Sequence, residues 1–291
     1  MPMSVTNKEH PILAITSDYY QSEGDPYPYL KRIAEAGFTH IHWCHHWATD
    51  FIYSDHDIEQ IRQWFKEFGL CLLNLHASHG KEKYWVSQNE YQRLAGVELV
   101  ENRIQMIARL GEDVLIIHIP STRPPESRAA WLVQIRKSLD MLEPYARHHS
   151  VRIALENMHG DDWEMLEILI PEYDPGFLGL CFDSGHANLS GQHFEHLERL
   201  KARLIAVHLH DNDGLTDQHK IPFSGTVDWE VLASLITLSA YEGCVNLEVA
   251  IQETGYTDED AFLRQAYLAG KRLTALIQAK RNAGVQFASV Q

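Results

Sequence analysis

Short apolar runs rich in isoleucine, valine and leucine recur along the chain. Each run is followed by a polar stretch and then by a longer segment with helical periodicity. This alternation is typical of repeated strand–helix units, whose strands lie side by side in a parallel sheet. The predicted strands are 11–16, 38–43, 70–76, 113–119, 151–156, 178–183, 204–210 and 244–249.

The predicted helices fill the intervals between these strands and follow the last one: 26–36, 55–68, 88–110, 126–148, 161–171, 192–202, 228–241 and 257–282. Gly37, Gly69 and Gly111 each fall between a helix and the next strand, where a left-handed turn favours glycine. Eight such units in 291 residues predict an α/β fold, a single-domain (β/α)₈ TIM barrel spanning 1–291. An open, doubly wound sheet is the alternative, but no GxGxxG sequence follows the first strand to support it.

The amino-acid composition indicates which binding partners and which cellular location to expect. The chain is 45% hydrophobic and 22% charged, as in ordinary globular proteins. It has no apolar run of about 18 residues and no secretion signal at its N-terminus, so we expect a cytoplasmic protein with no membrane partner. Lys and Arg total 25 against 40 Asp and Glu, a net charge of −15, so we expect no nucleic-acid partner. The four widely separated cysteines are interpreted as reduced, buried thiols.

Potential metal ligands stand at the ends of six consecutive predicted strands. In a TIM barrel these ends meet at one mouth, where the active site lies. Because histidine, aspartate and glutamate are the usual ligands of divalent cations, their coincidence at one mouth points to metal chemistry. The residues concerned are His76, His118, Glu156, Asp183 with His186 after it, His208, His210 and Glu248.

Three of these residues are carboxylates, and they give the strongest indication of a bound metal. Glu156, Asp183 and Glu248 each end an apolar strand, where an unpaired charge is expensive to bury. A single carboxylate could equally form a salt bridge, but the strand ends offer almost no Lys or Arg, so a shared divalent cation explains the set better. His208 and His210 face the same way, and we expect only one of them to bind the ion. The cluster His40, His42, His45 and His46 is interpreted mainly as structural, with lining of the pocket floor as the alternative.

Five strings reinforce this picture. They are Ala154-Leu155-Glu156-Asn157, the run from Gly179 to Asn188 (GLCFDSGHAN), Val207-His208-Leu209-His210-Asp211-Asn212, Gly225-Thr226-Val227-Asp228-Trp229 and Leu247-Glu248. In this order they resemble the xylose isomerase-like TIM-barrel superfamily, which contains sugar isomerases, ketose 3-epimerases, inosose isomerases and dehydratases, and endonuclease IV. The resemblance covers the chain from the third strand to the eighth.

The resemblance implies an isomerase or epimerase that acts on a sugar, sugar phosphate or polyol through a metal-stabilised enediolate. It implies one divalent ion (Mn, Zn, Mg or Co) held by Glu156, Asp183, His208 and Glu248, with His210 as the alternative to His208. The implied catalytic residues are Glu156, Glu248 and His186. A dehydratase acting on the same kind of substrate, and a homo-oligomeric state, remain open.

Endonuclease IV supplies a second alternative. That branch binds three zinc ions, and its additional ligands match His76, His118, His186, Asp217 and His219. A nuclease and a centre with more than one ion are therefore both open. Against a nuclease stand the net charge and the lack of recognisable basic loops with an aromatic wedge for holding a kinked duplex. The substrate and the number and identity of the ions are not determined by the sequence.

Overall fold

Eight short parallel strands surround the centre of the molecule, and each leads into a polar loop at the same end. The computed structural model describes residues 11–119, 128–158, 162–189, 191 and 194–288. All eight predicted strands are confirmed to within two residues of their predicted bounds. They are β1 (Leu13–Thr16), β2 (His40–Trp43), β3 (Cys71–His76), β4 (Val114–His118), β5 (Arg152–Glu156), β6 (Leu178–Asp183), β7 (Leu204–His208) and β8 (Val245–Leu247).

The strands close into a barrel. Hydrogen-bonded neighbours follow the order β7-β6-β5-β4-β3-β2-β1-β8, and every pairing is parallel. The two end strands of this order meet where Leu209 bridges to Leu247 and the Leu209 amide donates to the Asn246 carbonyl at 3.0 Å. The TIM barrel is therefore confirmed, and the open doubly wound alternative is wrong because the sheet returns to its first edge.

Helices follow the strands and cover the outside of the barrel. They are α1 (Tyr27–Glu35), α2 (Asp55–Phe68), α3 (Glu90–Leu110), α4 (Arg128–His148), α5 (Asp162–Glu172), α6 (Ser184–Asn188), α7 (Phe194–Leu200), α8 (Trp229–Thr237) and α9 (Glu259–Ala288). Among the described helices, none combines the length and the apolar character that a membrane crossing requires.

Three helices depart from the predicted pattern, and the last of them, α9, continues to Ala288 instead of ending at residue 282. Helix α6 was not predicted, because its five residues are too few for a periodic signal; the Asp183 side chain caps it by accepting from the His186 amide. Helix α8 ends at Thr237 instead of residue 241, because the Ser239 hydroxyl binds the Ile236 carbonyl and accepts from the Tyr241 amide. The predicted positions 1–10, 126–127, 161, 192–193 and 289–291 lie outside the described residues.

Local signals explain why these segments fold as they do. Ser54 and Asp57 form a reciprocal capping box at the start of α2. At its end Gly69 has a φ of 67°, and its N–H donates to the Phe65 carbonyl. Gly37 and Gly111 also have positive φ, so the three predicted glycine turns are confirmed.

The barrel interior changes character along its axis. Ile116, Ala154, Cys181 and Ala206 form a small apolar layer across β4 to β7. Because side chains alternate along a strand, the residues two positions later face the same interior one layer higher. Those residues are His118, Glu156, Asp183 and His208. The packed apolar layer thus forms the floor beneath a ring of titratable groups.

Helix α3 approaches the loop before it so closely that Gly96 admits no side chain. A Cβ there would lie 2.2 Å from the Trp85 amide nitrogen and 2.3 Å from the Tyr84 carbonyl carbon. Helix propensity alone favours alanine over glycine by about 1 kcal/mol. We nevertheless expect Gly96→Ala to lower the free energy of unfolding by about 1 to 3 kcal/mol, because main-chain overlap cannot be relieved by a rotamer change.

Urea denaturation of the purified variant measures this effect. Gly270→Ala in α9 is the comparison, because its new Cβ would meet the side-chain methyl groups of Leu13 at 2.7 Å instead of main-chain atoms. We expect a smaller loss there. A Gly96→Ala protein as stable as the unsubstituted one would contradict the packing described for α3.

Candidate functional site

The structure brings all ten predicted site residues together at the mouth of the barrel. They surround the base of a cavity of about 230 Å³. Seven of them line its wall: His76, His118, Glu156, His186, Asp217, His219 and Glu248. The other three, Asp183, His208 and His210, lie directly beneath it and are fully buried.

Glu156, Asp183, His208 and Glu248 form a central donor set. Each can offer one ligand atom, and these four atoms all lie within 4.8 Å of one another. The Nδ1 atom of His208 is 3.1 Å from Oε1 of Glu156 and 3.0 Å from Oε2 of Glu248. Oδ2 of Asp183 lies 3.9 Å from the same nitrogen. Strands β5, β6 and β7 and the residue after β8 each supply one member.

The central donor set fits a divalent cation. Both carboxylate oxygens of Glu156 and both ring nitrogens of His208 are buried and form no hydrogen bond within the described part of the chain. Buried polar atoms left unpaired cost about 1 to 3 kcal/mol each, more when charged. Three carboxylates with one imidazole are a donor set that Zn²⁺ and Mn²⁺ accept, and a cation among them would satisfy these atoms.

A second group lies on the other side of Glu156. Its Oε2 atom is 3.2 Å from Nε2 of His118 and 3.6 Å from Nε2 of His76. The two Nε2 atoms are 3.0 Å apart. His76 donates Nδ1–H to the Ala77 carbonyl at 2.7 Å, which leaves its Nε2 lone pair facing the group. Glu156 therefore presents one oxygen to each of two donor groups.

A third group consists of His186, Asp217 and His219. Oδ2 of Asp217 lies 3.2 Å from Nε2 of His186 and 3.3 Å from Nε2 of His219. Both imidazoles donate Nδ1–H to a main-chain carbonyl, that of Asn157 and that of Glu248, at 2.9 Å. These hydrogen bonds fix the tautomer so that both Nε2 atoms point at Asp217.

His208 and His210 occupy different surroundings although both face the barrel interior. Nε2 of His210 lies 3.0 Å from Oδ1 of Asp183, and its ring stacks on that of His219 with centroids 4.0 Å apart. His210 thus lies beside Asp183 and within ligand distance of all three members of the third group, whereas His208 lies within the central donor set.

Hydrogen bonds from the loops hold these strand ends in place. The Asn157 side chain donates to the Asp183 carbonyl at 3.0 Å and accepts from the Asp183 amide at 2.8 Å, which ties β5 to β6. Asp211 accepts from the Val227 amide and from the Trp229 indole N–H at 2.9 Å, which ties the β7 loop to α8. Trp229 therefore packs at the base of that helix.

The site is strongly polarised even without an ion. Burial alone would raise the pKa of Glu156 and Glu248, but the adjacent imidazoles, above all His208, hold the pKa of both carboxyls well below its usual range. Burial would lower the pKa of His208 and His186. Cys181, Glu156 and Glu248 nevertheless raise the pKa of His208 well above 6.5, and Asp183 and Asp217 do the same for His186. Burial would also lower the pKa of His219, but the adjacent carboxylate of Asp217 has the larger effect and raises this pKa to about 10.

Sequence reasoning missed several residues from the first two strands. Thr16, Asp18 and Cys44 line the cavity. His42 is fully buried, and its Nε2 lies 3.6 Å from Oε1 of Glu248, so for this histidine the structure agrees with the alternative of a place at the pocket floor. The available signal was position, because each of these residues stands at or just after the end of β1 or β2, at the rim where the other strands supply ligands.

Trp47 also borders the cavity, as an aromatic wall beside the second group. Its ring lies 5.6 Å from that of His76 and 5.7 Å from that of His118, measured between centroids. In contrast, His45 donates to the Gly24 carbonyl at 2.8 Å and His46 stacks on Phe51, so these two belong to the loop structure as expected.

Gly185 tests the placement of His210. A Cβ at Gly185 would lie 1.9 Å from Cε1 and 2.4 Å from Nδ1 of the His210 ring. Because that ring is stacked on His219, it cannot move aside without leaving Asp183. We expect Gly185→Ala to lower metal content and turnover together, as His210→Gln would. Elemental analysis and circular dichroism check this; unchanged metal content in a folded variant would contradict it.

Comparison with known proteins places this architecture among relatives. Residues 30–266 match the family described as xylose isomerase-like TIM barrel. An uncharacterized protein, y4fM of Sinorhizobium fredii, is 30% identical over 280 residues, covering 87% of this chain and 90% of its own.

Solved structures agree with the fold. A D-tagatose 3-epimerase-like protein superposes with a TM-score of 0.75 at 22% identity, covering 94% of this chain and 99% of its own. A D-psicose 3-epimerase crystallised in the presence of D-fructose gives a TM-score of 0.72 at 17% identity, covering 93% and 99%. The family match extends over most of the barrel and includes every residue of the three donor groups. The chain belongs to the xylose isomerase-like TIM barrel family.

Proposed function

We propose that this protein is a divalent-metal-dependent isomerase or epimerase of a small sugar, sugar phosphate or polyol. The observation that carries the proposal is the position of Glu156 and Glu248. Both contact the nitrogen of His208 and both line the cavity, whereas Asp183 and His208 lie beneath them. Two carboxylates thus stand between a cation-binding floor and the space that a substrate would fill.

The size of the cavity supports a small substrate. Its volume of about 230 Å³ is below the roughly 300 to 1,000 Å³ typical of pockets for drug-sized ligands. Sugar epimerases among the structural relatives act on single sugars by their names, which agrees with this size. Trp47, with Met158, Val249 and Ala250, gives the cavity an apolar wall beside its titratable groups.

The residues divide the chemistry between them. When bound, a divalent ion would supply Lewis acidity for a substrate carbonyl and its neighbouring hydroxyl. Glu156 and Glu248 are ionised at neutral pH, because their pKa values are held low, and each can accept a proton from a carbon beside the carbonyl. Delivery of a different proton to the opposite face by the other carboxyl, once that carboxyl has taken a proton from solvent, gives epimerisation; return of the removed proton to the adjacent carbon by the carboxyl that holds it gives isomerisation. His186 lines the same cavity and can orient a hydroxyl.

Proton exchange with solvent tests this proposal. The metal-loaded protein is incubated in deuterium oxide with a panel of ketoses, aldoses, their phosphates and cyclic polyol ketones, and the carbon-bound protons are followed by NMR. We expect deuterium to enter beside the carbonyl of at least one compound and to stop entering after chelation. Absence of exchange across the panel, with protein shown to carry metal, would contradict the proposal.

A phosphoester hydrolase is the second candidate, because the three donor groups stand side by side and Glu156 joins two of them. Centres with two or more ions are common among phosphatases and nucleases. The net charge of −15 disfavours a nucleic-acid substrate. Cleavage of a duplex with an abasic site, or of a simple phosphodiester, by the metal-loaded protein would favour this candidate.

A further inference from the structure

Glu248 divides its carboxylate between two surroundings. Oε2 faces the central donor set, 3.0 Å from Nδ1 of His208. Oε1 lies 3.6 Å from Nε2 of His42 and 3.8 Å from Sγ of Cys44. The proposed function uses the first surrounding and gives no role to the second, although His42 is fully buried and Cys44 is only 2% exposed.

The orientation of His42 is that of a metal ligand. Its Nδ1 lies 2.6 Å from the side-chain oxygen of Asn74 on β3, so Nδ1–H donates to that oxygen and the Nε2 lone pair faces Glu248. The same arrangement holds His76, His186 and His219, whose Nδ1 atoms are each paired with a carbonyl oxygen while Nε2 faces a donor group. Such a partner fixes the tautomer of a ligating histidine and raises its basicity.

Cys44 completes the group with a sulfur donor. Its amide donates to the Ser17 hydroxyl at 2.9 Å, and its Sγ lies 2.8 Å from Nε2 of His42. The three donors of this group, His42 Nε2, Cys44 Sγ and Glu248 Oε1, are therefore separated by 2.8, 3.6 and 3.8 Å. Tetrahedral zinc with its usual bond lengths places neighbouring N, O and S ligands about 3.3 to 3.6 Å apart. The sulfur and the imidazole need to separate by less than about 1 Å to reach this geometry.

Glu156 shows the same division on the opposite side of the central donor set, with Oε1 toward His208 and Oε2 toward His118 and His76. Each glutamate thus connects the central set to a flanking group. The flanking group at Glu248 differs in containing a thiol, and thiolate with imidazole selects zinc or cobalt over magnesium or manganese.

We propose that His42, Cys44 and Glu248 form a binding position for a thiophilic divalent cation, beside the central donor set and sharing Glu248 with it. Binding there releases the proton of the Cys44 thiol, because a coordinating thiol is deprotonated. Cys44 and Glu248 line the cavity, so the remaining coordination position opens toward it. The inference depends on the proposed function only through Glu248, and its test measures sulfur coordination instead of turnover.

Cobalt binding provides the test. Metal-free protein is titrated with Co²⁺, and the near-ultraviolet charge-transfer band of a thiolate–cobalt bond is recorded. Cys181 also lies near His208 and Glu156, so Cys181→Ser is the matched control for a second buried thiol. We expect the charge-transfer band in the unsubstituted protein and in Cys181→Ser. In Cys44→Ser we expect the band to be absent and the protein to bind about one ion fewer per chain.

X-ray absorption provides a readout that does not depend on the folding of Cys44→Ser. Zinc-loaded Cys181→Ser protein should show a sulfur neighbour at about 2.3 Å. Absence of that neighbour, absence of the cobalt band from the unsubstituted protein, or its persistence in folded Cys44→Ser would each overturn the inference.

Asp183→Asn separates this inference from the proposed function. The substitution weakens the central donor set and leaves His42, Cys44 and Glu248 in place, so the sulfur band should persist while proton exchange falls. A band without exchange on any sugar would count against the proposed function alone. Exchange without a band would count against the thiolate position alone.

Discussion

Replacing Glu156 with glutamine is expected to reduce turnover by about 10²- to 10⁴-fold, the usual contribution of a general base, while the barrel remains folded. An amide offers one oxygen where the carboxylate offers two, and its NH₂ group carries donors into a site built from acceptors. Glu156 faces His208 with one oxygen and His118 with the other, so glutamine cannot serve both groups.

Metal content distinguishes this explanation from simple loss of a proton acceptor. We expect Glu156→Gln to lose metal from the central set and from the group at His76 and His118, since both use this carboxylate. Glu242→Gln is the control, because that exposed glutamate precedes β8 at the opposite end of the barrel. Elemental analysis that found full metal content in Glu156→Gln would contradict the shared role.

Much of the fold could be predicted because each strand is recognisable from its own short stretch of sequence. Runs such as Val114–Ile117 are apolar on both faces, as strands between a barrel interior and a helix layer must be, and turns such as that at Gly69 mark where helices end. Their positions at strand ends then predicted that His118 and Glu156 meet at one mouth, whereas Asp217 and His219 were implied only by the resemblance to endonuclease IV.

The central donor set was implied by the family resemblance, but the division of the other residues into flanking groups could not be predicted from the strands themselves. The division into groups depends on the register between neighbouring strands. The sequence of a single strand does not encode this register, because loops of variable length separate the strands along the chain. The pairing of β2 with β3 shifts register between Ile41 and His42, and that of β6 with β7 shifts between Leu180 and Cys181. Such a shift changes which residues lie opposite each other. The position of His42 beneath Glu248 therefore required the structure.

Removing metal from the protein is expected to lower the free energy of unfolding, and to lower it more at alkaline pH. Each ion present at about 1,000 times its dissociation constant contributes about 4 kcal/mol to the folded state. Without an ion, the carboxylates of Glu156 and Glu248 have only protonated imidazoles to compensate them. In the metal-free protein, the protons bound to the imidazoles therefore supply the positive charge that a bound cation supplies in the metal-loaded protein.

The pKa shifts give the sign of this pH dependence. In the metal-free protein the pKa of His208 and His186 is raised well above 6.5, and that of His219 is raised to about 10. Their stabilisation is complete below the unfolded pKa near 6.5 and is lost as pH rises through the folded pKa. Glu156 and Glu248 behave oppositely, because their lowered pKa gives stabilisation that is lost only at acid pH.

The free energy of unfolding of the metal-free protein should therefore fall between about pH 6.5 and pH 10. That of the metal-loaded protein should not fall, because rising pH deprotonates the ligands and strengthens metal binding. Urea denaturation of both forms at about pH 6 and pH 9 measures the difference. His56→Asn, on the exposed face of α2, controls for general histidine titration. If the gap between the two forms stayed constant with pH, protons and metal would not be competing for the same buried imidazoles, and the donor groups would not act as one centre.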